Sequence, residues 1–128
     1  MINIEEFKYL FDCKSKLKET SLNDSGNKYM SESTIDVINF DKVKGKYIGD
    51  IKVEMTPSSN DALLVLADEL IFIEFKDGNM KDEIHNVRRK NFESLLILLD
   101  IINKTITYSR NNINYILVYN DATWVASH

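Results

Sequence analysis

Two short apolar runs give the clearest pattern of hydrophobic and polar positions in the chain. They cover residues 62–67 and 70–76, and Asp68 and Glu69 separate them. Runs of this length, rich in Ile, Val and Phe and bounded by turn residues, are typical of central strands buried on both faces. The two-residue link between the runs predicts an antiparallel hairpin.

Helical spacing of apolar residues follows the second run and predicts a long helix over residues 79–102. Asn79 can cap its N-terminus, and Asp82 and Glu83 suit the positive end of a helix. One stripe comprises Ile84, Val87, Asn91, Leu95, Leu98 and Ile102, and it is widened by Phe92, Leu96 and Leu99. We expect Val87, Leu95, Leu98 and Ile102 to be buried against the sheet, and His85 and Arg89 to be more exposed.

The remaining segments have weaker patterns. Apolar residues at helical spacing (Ile4, Phe7, Leu10, Phe11 and Leu17) predict a helix over residues 4–18. Turn-forming residues predict a loop over 20–34, and β-branched and aromatic residues predict one or two strands over 35–40 and 47–55. A loop over 103–112 and a last strand over 114–119 complete the order. With no internal repeat or long linker, residues 1–128 are expected to form a single small α/β domain with a mixed sheet.

Composition and charge narrow the class of partner. The 128 residues carry 16 Lys and Arg against 20 Asp and Glu, a net charge of −4 that both halves share. A broad basic face for nucleic acid is therefore not expected, although a local basic groove stays open. The chain has no apolar run long enough to cross a bilayer and no visible signal peptide. We expect a cytoplasmic protein that does not bind a membrane. The sequence leaves open whether the chain was cut from a longer exported polypeptide.

A polar pair interrupts the second strand near its end. Glu74 and Lys76 lie two residues apart, so they share one face of the strand. Asp61 opens the neighbouring strand, and hairpin pairing would place it opposite residues 75–76, within a residue or two. Because ionised groups are costly to bury alone, we expect these side chains to be paired, metal-bound or functional. Asp61, Glu74 and Lys76 are therefore predicted to meet at one end of the hairpin.

Two carboxylates and a lysine are a chemically sensible set for cleaving a phosphodiester. Carboxylate oxygens suit Mg²⁺ or Mn²⁺, which lowers the pKa of a bound water and neutralises charge that develops on a phosphate. An adjacent lysine can orient or deprotonate that water, or stabilise the transition state.

The segment from Ser59 to Val65, followed by Ile73-Glu74-Phe75-Lys76, resembles the signature of the PD-(D/E)xK nuclease superfamily. Asn60 stands where the superfamily name has Pro. The resemblance covers roughly residues 59–104 and implies a restriction-endonuclease-like αβββαβ core. It implies that Asp61 and Glu74 bind the metal and that Lys76 assists the attacking water. It further implies that Arg88 or Lys90 meets a substrate phosphate. The superfamily often adds an acid from its first helix, for which Glu5, Glu6 and Glu19 are equal candidates.

Two functions of different classes follow from these observations. The first is a metal-dependent nuclease acting on DNA or RNA, for instance a bacterial toxin domain or a phage or defence endonuclease, which a cognate inhibitor or immunity protein would restrain. The second is an inactive nuclease-like module that binds a protein partner in an inhibitory, immunity or assembly role. The acidic–acidic–lysine set favours the first function, and the acidic net charge favours the second. The oligomeric state is left open.

Overall fold

Five β-strands form one mixed sheet in the described part of the computed structural model, which comprises residues 2–23, 26–52, 54–67, 69–77 and 80–120. The strands are β1 (Lys14–Lys16), β2 (Asp36–Asn39), β3 (Ala62–Val65), β4 (Leu70–Asp77) and β5 (Ile113–Asn120). The helices are α1 (Lys8–Phe11), α2 (Leu17–Thr20), α3 (Phe40–Ile51), α4 (Met80–Ile102) and α5 (Ile106–Asn112), and a 3₁₀ turn covers Ile4–Glu6. The predicted α/β class with a mixed sheet is confirmed.

The strands lie in the sheet in chain order. Neighbouring strands are antiparallel from β1 to β4, whereas β5 is parallel to β4. A parallel pair needs a long crossover, which α4 and α5 provide. The predicted hairpin is confirmed, with Val65 opposite Leu70 and Ala62 opposite Ile73. This register, continued by one residue, brings Asp61 opposite Glu74, within one residue of the expected position.

Apolar side chains cover both faces of the sheet. On one face, Leu63, Leu70 and Phe72 join Leu98 and other residues of the helices in the main core. On the opposite face, a smaller cluster contains Val37, Ala62, Ile71, Ile73 and Phe75, with Leu17 and Met30 packed against it. Because side chains alternate along a strand, Glu74 and Lys76 continue the row of Leu70 and Phe72 on the main-core face.

Helix α4 packs largely as predicted. Val87, Leu98 and Ile102 are buried and Leu95 is half-buried, whereas His85 and Arg89 are exposed. The expectation that Phe92 and Leu96 widen the buried stripe is wrong, because they are 59% and 46% exposed. Leu96 lies two residues from Leu98, about 200° around the helix, so the two side chains face nearly opposite directions.

Residues 4–18 do not form the single helix that their spacing predicts. They contain the 3₁₀ turn, α1, the short strand β1 and the start of α2. Lys14 lies opposite Ile38 and Lys16 lies opposite Asp36, so pairing with β2 provides the backbone hydrogen bonds that a helix would otherwise supply. Exposed lysines on this edge strand also discourage pairing with another chain. A contact between segments distant in sequence thus overrides the local periodicity.

The strand predicted over residues 35–40 is confirmed as β2, but the strand predicted over 47–55 is wrong. That segment belongs largely to α3. Asn39 caps the N-terminus of this helix, and its side chain accepts a hydrogen bond from the Lys42 amide at 3.1 Å. Phe40 and Val43 are buried on its inner face, and the helix ends at Lys52, which adopts a left-handed conformation with φ of 54°.

The expected loop over residues 103–112 is wrong in part, because α5 occupies most of it. The last strand is confirmed as β5. The predicted cap Asn79, Asp68 of the hairpin link and everything after Asn120 lie outside the described residues. Among the helices described, none is both long and apolar enough to span a bilayer.

Candidate active site

Glu74 lies on the main-core face of the sheet toward the end of β4, and only 2% of it is exposed. Its Oε2 accepts a hydrogen bond from the Lys90 Nζ at 2.7 Å and lies 3.8 Å from the Lys76 Nζ. Its Oε1 is buried and has no hydrogen-bond partner among the described residues. The fold therefore leaves one carboxylate oxygen available to a further ligand.

Asp61 lies beside Glu74 across the hairpin. Its Oδ2 accepts a hydrogen bond from the Phe75 backbone amide at 2.8 Å, which fixes the carboxyl group at the start of β3. Burial and, to a lesser extent, the charge of Glu74 raise the pKa of Asp61 from 3.8 to about 8. Burial likewise raises the pKa of Glu74, against the lowering effect of Lys90 and Lys76. These shifts are those of two acids that share a desolvated site with too little positive charge.

Two lysines provide the positive charge that is present. Lys76, with 8% of its side chain exposed, lies between Glu74 and Glu83, whose Oε2 is 3.4 Å from its Nζ. Lys90 reaches Glu74 from α4, and 24% of its side chain is exposed. Burial lowers the pKa of Lys90, but the hydrogen bond and charge of Glu74 outweigh that effect, and its pKa is raised overall. We call Asp61, Glu74, Lys76 and Lys90 the carboxylate–lysine cluster.

The structure separates the two basic residues expected to meet a phosphate. Lys90 faces the cluster, whereas Arg88 is exposed. Among the described contacts, Arg88 has no hydrogen bond or ion pair with Asp61, Glu74 or Lys76. Two residues along an α-helix correspond to about 200°, so Arg88 and Lys90 cannot point into the same site.

Asp41 is a further acid near the cluster, and it is not among the site residues predicted from the sequence. It lies in the first turn of α3, and its Oδ1 accepts a hydrogen bond from the Ser59 Oγ at 2.5 Å. Its charge raises the pKa of both Asp61 and Glu74. The sequence signal for it is Asn39, a good helix cap that places Asp41 in a first turn.

The three acids proposed from the first predicted helix are not brought to the cluster. Glu5 and Glu6 are exposed in the 3₁₀ turn, and Glu19 is exposed on α2. Helix α2 packs through Leu17 against the opposite face of the sheet from Glu74.

Hydrogen bonds from two helices fix the loop that carries Asp61. The Ser58 amide and hydroxyl donate to Glu93 Oε1 at 3.0 and 2.9 Å, and the Asn60 amide donates to the buried Ser94 hydroxyl at 2.7 Å. Asn60 is completely buried, and its side-chain oxygen and nitrogen have no partner among the described residues. Together with the bond between Ser59 and Asp41, these contacts position Asp61 from both α3 and α4.

The donor set fits a weakly held Mg²⁺ or Mn²⁺. The chemistry is that of hard oxygen ligands, and the unpartnered Glu74 Oε1 next to Asp61 provides the observation in favour. In the part of the chain that the structure describes, no group of three or more Asp, Glu, His or Cys side chains is arranged to hold a metal. A metal here would therefore have at most Asp61 and Glu74 as protein carboxylates, and Mg²⁺ sites with one or two carboxylates rely on water and substrate phosphate for the rest.

Searches against protein-family models, curated proteins and solved structures find no match to this chain.

Proposed function

We propose that this protein is a metal-dependent phosphodiesterase that cleaves DNA or RNA. The observation that carries the proposal is that the half-buried Asp61 lies beside the buried Glu74, with Lys76 and Lys90 at the same Glu74 carboxylate. Removing these ionisable groups from water costs free energy that apolar residues at the same positions would not cost. This cost favours a functional role for the cluster. The resemblance of residues 59–76 to the PD-(D/E)xK signature supports the same proposal.

Each member of the cluster has a role in this proposal. Asp61 and Glu74 would hold the metal ion, and Phe75 orients Asp61 through its backbone amide. When bound, Mg²⁺ would supply a water of lowered pKa and neutralise charge on the phosphate. Lys76, kept in place by Glu74 and Glu83, would orient the attacking water or donate a hydrogen bond to the charged phosphoryl oxygens. Lys90 contacts a phosphate of the substrate.

Arg88 lies outside the cluster and faces away from it. In this proposal Arg88 therefore contacts the nucleic acid only at the periphery of the site. The proposed place of action is the cytoplasm.

The test is a cleavage assay on plasmid, single-stranded DNA and structured RNA with Mg²⁺ or Mn²⁺, and with EDTA. Wild-type protein should cut at least one substrate, and both Glu74→Gln and Lys76→Ala should abolish cutting. Lys104→Ala is the matched control, because Lys104 is an exposed lysine beyond the far end of α4. Inert wild-type protein that binds no metal would end the nuclease proposal.

One observation favours the second candidate, an inactive nuclease-like module that binds a protein. Glu74 and Lys76 are 2% and 7% exposed, so the centre of the cluster is closed rather than an open, positively charged cleft. A closed ion-pair network can specify a fold without catalysis. This candidate predicts that wild type and Glu74→Gln bind a protein partner equally well and that neither cleaves nucleic acid.

A further inference from the structure

The contact between Lys90 and Glu74 has a consequence for metal binding. The Lys90 ammonium lies 2.7 Å from Glu74 Oε2, on the carboxylate that the proposed function assigns to the metal. Two cations close to one carboxylate repel each other strongly in a desolvated site. A dication at the free Oε1 of Glu74 and the ammonium at Oε2 would therefore repel each other, and departure of the ammonium relieves this repulsion.

The two lysines differ in their freedom to leave. Lys76 has 8% of its side chain exposed and is held a second time by Glu83 at 3.4 Å. Lys90 has 24% of its side chain exposed, and Glu74 is the carboxylate that it contacts. Its four-carbon stem gives the ammonium several alternative positions nearer to solvent. Lys90 is thus the member of the cluster that can exchange with an incoming cation.

We propose that Lys90 is a built-in competing cation that neutralises Glu74 in the metal-free protein and is displaced to the mouth of the site when a divalent metal binds. The inference rests on the proposed function and adds a regulation of the same site. The displaced ammonium is then free to contact an anionic substrate phosphate, so metal loading and phosphate binding are coupled. Without metal, Lys90 is withheld from phosphate by its bond to Glu74.

The test is a calorimetric titration of metal-free protein with Mn²⁺, alongside melting temperatures with and without Mn²⁺. Lys90→Met is the informative variant, because it keeps the apolar stem and removes the charge. We expect it to bind Mn²⁺ about 10-fold more tightly than wild type, as removal of a nearby like charge implies. Without metal, its melting temperature should be lower than that of wild type, and Mn²⁺ should raise its melting temperature by more than it raises that of wild type. Lys90→Arg, which keeps the charge, and the surface control Lys104→Met should match wild type.

The outcomes separate this inference from the proposed function. If wild type binds Mn²⁺ and cuts nucleic acid, but Lys90→Met binds no more tightly, the competing-cation inference is overturned and the nuclease proposal stands. If no form binds Mn²⁺, both are overturned. Should Lys90→Met fail to fold, Lys90→Gln gives the same comparison, because it also removes the charge.

Discussion

At the scale of one residue, tertiary contacts decide whether the charge of Glu74 stabilises or destabilises the folded protein. From the sequence alone, two neighbouring carboxylates suggest that Glu74→Gln would relieve repulsion when no metal is bound. In the structure, Glu74 instead compensates Lys76 and Lys90, and burial raises the pKa of Asp61 to about 8. Glu74 is therefore a partner of two lysines as well as a charge that repels the Asp61 carboxylate, and because Asp61 keeps its proton up to a pKa of about 8, the pairing with lysine dominates at neutral pH.

We accordingly expect Glu74→Gln to lower the free energy of unfolding of the metal-free protein. The substitution leaves the buried Lys76 with one neighbouring acid, Glu83, instead of two. When a buried polar group loses a partner, the folded state is destabilised by about 1–3 kcal/mol. Urea denaturation at neutral pH measures the change. The exposed Glu32, which pairs with Lys18, provides the control Glu32→Gln, with an expected change within about 0.5 kcal/mol. A Glu74→Gln protein as stable as wild type would mean that repulsion dominates at this site.

Asp61 gives a pH dependence of known sign. Its pKa is raised from 3.8 to about 8, so between these values the unfolded state has lost the proton that the folded state keeps. The stability of metal-free wild type should therefore fall as pH rises from about 4 to about 8. Asp61→Asn does not titrate and can still accept from the Phe75 amide, so it should be the more stable protein, by on the order of 2 kcal/mol at pH 8.

Chemical denaturation across this pH range tests the expectation. Asp36→Asn is the control, and its effect on stability should have the opposite sign. The hydrogen bond from Lys16 lowers the pKa of Asp36, so the ionised Asp36 stabilises the folded protein above the pKa that this carboxyl group has in the unfolded state. Parallel pH curves for wild type and Asp61→Asn would show that Asp61 ionises normally.

At the scale of elements, the loop before β3 depends on α4. The Asn60 amide is buried and donates to Ser94 Oγ at 2.7 Å, so Ser94→Ala leaves a buried donor unpaired. We expect a loss of about 1–3 kcal/mol in stability and reduced metal affinity, because Asp61 directly follows Asn60. Ser109→Ala removes an exposed hydroxyl bond within α5 and should change little. Unaltered metal affinity in a destabilised Ser94→Ala protein would show that the loop does not position Asp61.

At the scale of the whole molecule, the net charge of −4 governs how nucleic acid would be bound. Few basic groups face the proposed site, so binding should depend on metal and on one or two phosphate contacts. The slope of log K against log salt should then be about −1 to −2. Fluorescence anisotropy of labelled single-stranded DNA, with Ca²⁺ in place of Mg²⁺, measures it. A slope steeper than about −4 would indicate a broad basic surface instead.

The sequence predicted those elements that are buried and regular. The β3–β4 hairpin, α4 and β5 follow from runs or stripes in which enough apolar positions face the core for local pattern and final environment to agree, although Phe92 and Leu96 of α4 are exposed. The same hairpin register placed Asp61 within one residue of its partner Glu74, because strand pairing with a short link leaves little freedom.

The sequence did not predict what depends on distant contacts. Residues 14–16 form a strand because β2 lies beside them, and residues 47–51 are helical because Phe40 and Val43 bury one face of α3. The additional acid Asp41 and the choice of Lys90 over Arg88 follow from how α3 and α4 pack on the sheet. The sequence by itself determined the hairpin, the long helix and the residue types of the candidate site, since alternation and helical period are local properties. Only the tertiary structure decided which charges neutralise Glu74, because ion pairing depends on distances between elements that no local pattern encodes.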